Sequence, residues 1–446
     1  MSVSAPESAT ESAVPGRPLP ASADVVVIGG GVAGVSTAYY LARAGVSVVL
    51  CEKGRIAGEQ SSRNWGWVRQ QGRDVRELPL MIESLRCWHD LAKQVGEDIG
   101  FTVGGVTYLS ETEADLARHE AWLASVKEFQ LDSRMLSPAE VDAMLGRTDR
   151  RFLGALHTPS DARAEPAKAV PAIARAAERL GAVVLERTAV RTVDREGGQI
   201  AGVVTEHGRI ACRSVVLAGG VWSRPFLENI GLSLPQLAVK SSVLRTSPAP
   251  KLCESTFGGV SASIRPRQDG GYTVARSGAS RFDIIPAAFT HFRAFTPVLR
   301  REWRKIKLRF GRPFFDALGQ RSWREDQMSP FEAIRVWDPE PDHAVLDDVM
   351  RAARSLYPQL ANAQPVESWA GMIDVTPDEI PALGPIDAIP GLFIATGLSG
   401  HGFGIGPGLG YAMAQMVRGE PTFIDLSMLR YSRFQEPGGI VSAEET

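Results

Sequence analysis

The stretch Asp24–Lys53, DVVVIGGGVAGVSTAYYLARAGVSVVLCEK, limits what this chain can fold into more than any other. Val25 to Ile28 is a short apolar run suited to a fully buried strand, and Gly29, Gly31 and Gly34 follow at G-x-G-x-x-G spacing. Ala38, Leu41 and Ala42 then recur at helical intervals. Gly45 breaks the helix, Val46 to Leu50 offers a second buried strand, and Glu52 closes it. A strand, glycine turn, helix, strand and acid in that order and length is what a dinucleotide fold requires. Gly29 permits the tight turn, Gly31 removes a side chain where backbone must approach a pyrophosphate, and Gly34 lets the helix lie close on the sheet. The helix start, at Val32 and Ala33, leaves N–H groups unpaired for phosphates. Glu52 can accept both hydroxyls of an adenosine ribose and repels a 2′-phosphate, which disfavours NADP. A glycine turn that binds nothing is the plainer alternative, and an acid in register with both strands argues against it.

At 446 residues the chain is longer than one core usually organises, so two domains are expected. Its 49 basic and 51 acidic residues create no global field for nucleic acid. Cys51, Cys87, Cys212 and Cys253 form no C-x-x-C pair and read as buried thiols in a reducing compartment. No apolar run is long enough to span a bilayer. The opening MSVSAPESATESAVPGRPLP lacks a basic start and an apolar stretch, so it reads as a disordered tail rather than a signal peptide, and a cytoplasmic location is the default.

Beyond Glu52 lies a polar, glycine-rich loop from Gly58 to Gly72, too polar for a strand and too aromatic for a linker. It can cross a bound cofactor, with Ser61, Ser62, Arg63 and Asn64 donating to pyrophosphate or ring oxygens and Arg69, Gln70 and Gln71 on the substrate side. A surface loop anchored by Trp65 and Trp67 is the alternative. Helical spacing at 78–95, 111–129 and 138–145 interrupts the first unit's alternation and marks an inserted domain. Near Asp161 the first pattern returns, with a helix from Glu165-Pro166 to Leu180, strands at 182–185, 190–194 and 200–205, and the strand Ser214–Leu217 ending in Ala218-Gly219-Gly220-Val221-Trp222. From Pro235 to about Ala363 strands at 239–246, 261–266 and 272–276 suit an antiparallel sheet that roofs a pocket, the last two joined by a hairpin at Asp269-Gly270-Gly271. The segment 289–318 interleaves eight Lys and Arg residues with aromatic and aliphatic ones. It reads as a basic amphipathic helix, either lying on a membrane or partner or, as the favoured reading, solvated over the substrate domain.

The motif Trp369-Ala-Gly-Met-Ile-Asp-Val-Thr-Pro-Asp-Glu-Ile-Pro381, followed by Gly391-Leu-Phe-Ile-Ala-Thr-Gly-Leu-Ser-Gly-His-Gly-Phe-Gly-Ile-Gly-Pro407, resembles the D-amino acid oxidase superfamily of FAD-dependent oxidoreductases, in particular its glycine oxidase, sarcosine oxidase and proline dehydrogenase branch. The resemblance extends in family order over most of the chain. It implies an α/β fold, with a Rossmann-type FAD-binding domain interleaved with an α+β substrate domain built on an antiparallel sheet. The expected bounds are 1–22 for the tail, 23–77, 155–233 and 364–446 for the FAD-binding domain, and 78–154 with 234–363 for the substrate domain. It also implies that FAD is bordered by Lys53, Ser61, Ser62, Arg63, Asn64, Trp65, Gly66, Trp67, Val190, Ala218, Gly219, Trp222, Gly371, Gly400, His401, Gly402, Phe403 and Gly404. The residues agree in part: the glycines between Gly397 and Gly410 free backbone donors at the start of a helix over 409–417, where negative charge on a reduced flavin would be stabilised. His401 stands equally as a flavin or substrate contact and as a packed loop residue.

Family enzymes move a hydride equivalent from a carbon bearing an amine to flavin N5, leaving an imine, and no metal site or Ser-His-Asp set is apparent. This chain departs from the family at telling places. An Arg that grips a substrate carboxylate in glycine oxidase-like members is matched by Ile373, and a Lys that follows S-G-H-G-F in sarcosine oxidase-like members by Gly404. The cysteine that tethers flavin there is matched by Gly371, so FAD is expected to be non-covalent, and the oxygen-activating Lys by Thr273. Arg69, Arg265, Arg276 and Arg335 are the candidate replacement cations, and Asp374 can recognise a second amine. The catalytic candidates are therefore His401, Arg69 and Asp374. The readings are an FAD-dependent oxidase or dehydrogenase of amines or amino acids passing electrons to oxygen or a carrier, the flavin subunit of a hetero-oligomeric dehydrogenase, and a flavin-binding protein without turnover.

Overall fold

The computed structural model of the chain describes residues 18–146, 151–259, 261–278, 280–302, 306–318 and 322–440. Its organising unit is the one read first. Strand β1 (Val25–Ile28) pairs in parallel with β2 (Val48–Cys51), Val25 opposite Val48 and Ile28 opposite Cys51, and all eight residues are buried. Helix α1 (Val32–Arg43) makes the crossover. A Cβ on Gly34 would stand 1.9 Å from the Gly29 carbonyl oxygen, so only glycine lets α1 sit this close to the turn. The sheet has six strands in the order Ala382–Pro385, Leu392–Thr396, Ser214–Leu217, β1, β2 and Val183–Leu185, parallel except at the antiparallel edge strand Ala382–Pro385.

Helices α2 (Leu78–Gln94) and α3 (Gly402–Val417) complete this body. Residues 78–95, expected among the inserted elements, pack on α3 through Ser84 Oγ to the Gly404 carbonyl (2.7 Å), Trp88 Nε1 to the same oxygen (3.0 Å) and the Gly408 N–H to Ser84 Oγ (3.0 Å). Helix α3 begins at Gly402, seven residues before the expected 409. Its glycines lie inside the helix and act by packing. A Cβ on Gly406 would meet Val32 Cγ2 at 2.4 Å and one on Gly410 would meet Ser36 Cβ at 2.5 Å, both on α1, while Gly408 would meet Ser84 at 2.8 Å. Each glycine costs a helix about 1 kcal/mol, which close packing against two neighbours offsets.

The second body is a ten-stranded mixed sheet. Its longest pair is β3 (Leu237–Thr246) with β4 (Pro365–Val375), antiparallel, Ser241 opposite Gly371 and Val239 opposite Ile373. The expected hairpin is present, Ser263–Pro266 against Tyr272–Ala275. Two junctions are parallel, Thr256–Gly258 with Val106–Ser110 and Ser280–Asp283 with Ile306–Arg309. Alternation along β3 and β4 sends Ser241, Val243, Gly371 and Ile373 to the cavity described below and Lys240 and Met372 to the opposite side. Helix His343–Leu356 buries Val345, Leu346, Val349, Met350, Ala353 and Leu356 in this body's core.

Three expectations about secondary structure change. The loop at 58–72 holds a helical turn, Gln60–Arg63, and a two-residue strand, Trp67–Val68, paired with Ala162–Arg163. The segment 289–318 is several elements, among them helix Phe292–Glu302, strand Ile306–Arg309 and helix Arg312–Leu318, because the alternating residues after 305 pair with strand Ser280–Asp283 and extend the large sheet by one strand. Trp303, Arg304 and Lys305 lie outside the described residues. The tail is shorter at its inner end: Leu19 packs on the core and Ser22 bridges to Ala211, while residues 1–17 lie outside the described residues. All four cysteines are free thiols. Among the described residues no helix is long and apolar enough to cross a membrane.

Candidate functional site

A cavity of about 1270 Å³ runs from the glycine turn, past the crossing loop, to the start of α3 and on beneath helix Glu113–Ser125. That exceeds the roughly 300–1,000 Å³ of ordinary small-ligand pockets, leaving room for a dinucleotide and a second molecule. At the glycine-turn end, Gly29 adopts φ 112° and a Cβ there would lie 2.4 Å from the Ala218 oxygen. The Gly30 and Gly54 N–H groups donate to the two oxygens of Glu52 at 2.7 and 2.6 Å. Burial pushes the Glu52 carboxyl above its ordinary range despite these bonds. Each oxygen keeps a second lone pair for a ribose hydroxyl. A Cβ on Gly31 would touch only Ser61 Oγ, at 3.2 Å, and the Val32 N–H donates to that hydroxyl at 2.8 Å. Val32, Ala33, Val190, Ala218, Gly219 and Trp222 also reach the cavity wall.

The crossing loop is spent mostly on itself. Ser61, Arg63, Asn64, Trp65 and Trp67 line the cavity, and Ser62 and Gly66 are not among the lining residues. Ser62 Oγ donates to the Glu59 carbonyl, and the Gly66 N–H donates to Asn64 Oδ1 at 2.7 Å. Asn64 Nδ2 donates to the Ser61 carbonyl at 2.8 Å, and Arg63 donates to the carbonyls of Trp337 and Gly58. The donor role expected of Ser62, Arg63 and Asn64 side chains is therefore taken by loop closure. Lys53 likewise bonds Glu59 (2.6 Å) and the carbonyls of Ile334 and Arg335, with Trp222 beneath it. Gly34 does not line the cavity and serves helix packing alone.

At the far end the loop Gly397–His401 carries three left-handed residues, Gly397, Ser399 and Gly400, that turn the chain from strand into α3. Asp374 holds it: Oδ2 accepts from the N–H groups of Gly397 (2.8 Å) and Leu398 (3.3 Å) and from Gln236 Nε2 (3.2 Å). Burial pushes its carboxyl up to about 6. Asp374 borders the cavity and anchors the loop through Oδ2. His401 Nδ1 lies 2.9 Å from Glu77 Oε2, and Glu77 is fully buried. Burial, with Arg73 and Arg69 nearby, outweighs Glu77 and keeps His401 below its usual value. Burial would raise Glu77, but His401 and Arg73 hold its carboxyl below the usual range. A neutral imidazole facing an ionised carboxylate carries its proton on Nδ1, leaving the Nε2 lone pair as acceptor.

Of the four candidate cations, Arg69 and Arg276 line the cavity. Arg265 is instead buried against Glu165 (2.9 Å) and Thr273 (3.1 Å), and the half-exposed Arg335 pairs with Glu206 (2.5 Å). Gln70 and Gln71 turn inward, their N–H groups on Asp161 at 2.7 and 3.1 Å. Arg73, which the sequence reading passed over, lines the cavity while 3% exposed, and its Nη1 is without a hydrogen-bond partner. Burial and the neighbouring Arg69 push its guanidinium down to about 10. A Cβ at Gly404 would lie 3.3 Å from Arg73 Nη2, so Arg73 fills the space beside Gly404. Arg69 stands over the rings of Tyr108 (5.5 Å) and Trp67 (6.0 Å). Tyr108, Arg118, His119 and Trp122 extend the wall and were equally unforeseen. The run Arg69, Arg73, Glu77, spaced by four just before α2, was the available signal.

The residues fit FAD. Two helix starts, of α1 and α3, open on one cavity with the acid Glu52 at one end, and Gly371 leaves its wall bare except for Arg63 Cβ at 3.3 Å. Cys51 is the cysteine that lines the cavity, and burial pushes its thiol up to about 12, which leaves it unreactive. Among the described residues no His, Cys, Asp and Glu cluster could hold a metal. The family model described as FAD dependent oxidoreductase matches residues 24–416. The chain is 26% identical to the sarcosine oxidase subunit beta of an Arthrobacter species, over 89% of this chain and 87% of that one. It is also 26% identical to mouse mitochondrial sarcosine dehydrogenase over 91% of its own length, spanning 41% of that relative. Among solved structures, L-amino acid deaminase from Proteus myxofaciens, in complex with anthranilate, superposes with a TM-score of 0.90 at 30% identity, covering 94% of this chain and 95% of that one.

Proposed function

The chain belongs to the FAD dependent oxidoreductase family, and from that premise we propose that it oxidises the C–N bond of an amino acid whose carboxylate is held by Arg69, Arg73 and Arg276. The observation that carries this reading is the buried Arg73 guanidinium on the cavity wall with Nη1 unpaired. Its Nε donates to the Arg69 carbonyl at 3.2 Å, but a buried charged N–H left without an acceptor is costly unless a ligand supplies one, and a carboxylate matches a guanidinium's fork. Cations at 69, 73 and 276 restore what Ile373 and Gly404 lack.

Bound FAD supplies the acceptor for two electrons. The arginines orient the substrate through its carboxylate, and Tyr108, His119 and Trp122 line the space for its side chain. His401, neutral and tethered by Glu77, offers Nε2 to take the proton from the substrate ammonium, so that the neutral amine reacts. Likeness to a sarcosine oxidase subunit beta supports a second reading, in which the chain is the flavin subunit of a larger dehydrogenase.

The test is anaerobic bleaching of the purified flavoprotein by amino acids, N-alkyl amino acids and the corresponding amines without a carboxylate. Amino acids are expected to bleach it about ten- to a hundredfold faster than matched amines, the worth of a charge-assisted bond to a buried cation. Equal rates with both sets would refute the carboxylate grip. Bleaching that needs a second polypeptide would favour the subunit reading, and oxygen uptake in air separates oxygen from a carrier as acceptor.

A further inference from the structure

The segment 289–318 takes no part in the cavity chemistry, yet its described residues gather exposed aromatic and cationic side chains on one surface. Phe289, Phe292, Phe310, Phe315 and Leu318 are 67%, 55%, 59%, 59% and 64% exposed. The aromatic rings lean on one another, Phe310 against Phe314 at 5.0 Å, Phe314 against Phe315 at 5.5 Å and Phe289 against Phe314 at 6.2 Å, so the patch is preformed between helix Pro286–Thr290, the turn at Phe310 and helix Arg312–Leu318. Exposed Arg293, Arg300, Lys307, Arg309 and Arg312 interleave with them. The whole segment holds eight Lys and Arg residues against two acids in a chain of formal net charge −2. Soluble surfaces seldom leave a contiguous apolar cluster of this kind open.

We propose that this face docks on a bilayer containing anionic phospholipid, the rings entering the headgroup boundary and the cations meeting the lipid charge. Charge complementarity selects that occupant: a local excess of cations on an otherwise slightly acidic protein attracts a negative surface, and aromatics among cations are the composition that sits at a lipid interface. Strand Ile306–Arg309 is the free edge of the large sheet, where a row of cations also guards against pairing with another chain. Helix Phe292–Glu302 reaches the cavity wall, since its Arg301 pairs with Glu379, which lines the cavity.

The test is flotation of the full-length flavoprotein with vesicles of pure phosphatidylcholine and with vesicles containing about 30% phosphatidylglycerol, at low and high salt. Binding is expected to the anionic vesicles alone and to weaken with salt, each cation contributing roughly fivefold. The surface variant Phe289→Ser with Phe310→Ser and Phe315→Ser should cut binding at least tenfold, and Arg293→Glu with Arg300→Glu should do the same, both keeping native flavin absorbance as the check on folding. Equal binding to neutral vesicles, no binding to anionic ones, or unchanged flotation of both variants overturns the proposal. A native dimer that the triple Ser variant converts to monomer, without vesicle binding, overturns it in favour of a second copy covering the patch.

Discussion

The two ends of the cavity are built from different materials. At the glycine-turn end the contacts are backbone ones: N–H groups of Gly30, Gly54 and Val32, with one acid and one hydroxyl, all within the first 61 residues. At the arginine end the wall is made of long side chains from Arg69, Arg73, His401 and Arg276, delivered by segments that lie far apart in the chain. A backbone site is written in local spacing and tolerates almost no added volume. A side-chain site depends on how remote elements are brought together, and it can exchange one cation for another while keeping its charge.

Gly34→Ala probes the first end hardest. Its Cβ would stand 1.9 Å from a backbone oxygen, so only separation of α1 from the turn relieves the clash. The expected cost is more than about 4 kcal/mol, in the range reserved for severe packing faults, and the variant should be recovered colourless or unfolded. Flavin content per chain and a urea unfolding midpoint measure it. A yellow, stable Ala variant would mean that this end is no more constrained than the other.

The same contrast explains what the sequence disclosed. The Asp24–Lys53 unit carries its own register, so β1, α1, β2 and the position of Glu52 follow from spacing alone. The two-body α/β architecture followed from the motifs in order. Arg73 and Glu77 were missed because their spacing of four is equally that of an ordinary charged helix entry; their meaning comes from the start of α3 arriving beside them, 324 residues on in the case of His401 and Glu77. Arg265 and Arg335 were plausible for the same lack of information, and the fold pairs each with a glutamate away from the cavity. The α3 start was misjudged because glycine weakens a helix in isolation, while here Gly406 and Gly410 are what allow α1 to approach.

At the arginine end, Arg73→Leu is expected to lower kcat/KM for an amino acid by about 10²–10³, as when one partner of a buried charged pair is lost. Arg73→Lys should lose about tenfold, keeping the charge but not the fork. Both should retain FAD at the level of the native chain, measured by absorbance after gel filtration. Loss of flavin together with activity would show that the two ends are not separable.

The smallest effect expected comes from Asp374, the anchor of the loop that enters α3. Burial holds its carboxyl at about 6 against an ordinary 3.8, so the folded chain binds this proton more tightly than the unfolded one. The contribution to stability is therefore complete below about pH 4 and is lost as pH rises through about 6. A two-unit shift corresponds to at most about 3 kcal/mol, less where water enters. Asp374→Asn keeps an oxygen for the Gly397 N–H and abolishes the titration, so its urea midpoint should fall less than the native one between pH 4 and pH 7. Asp161, also pushed up to about 6 by burial but bonded to Gln70 and Gln71, and Glu52, likewise raised by burial, remain in both proteins and contribute to the residual slope. Identical pH profiles would mean that the loop's carboxylate is solvated in solution, and that the far end of the cavity is held by backbone much as the near end is.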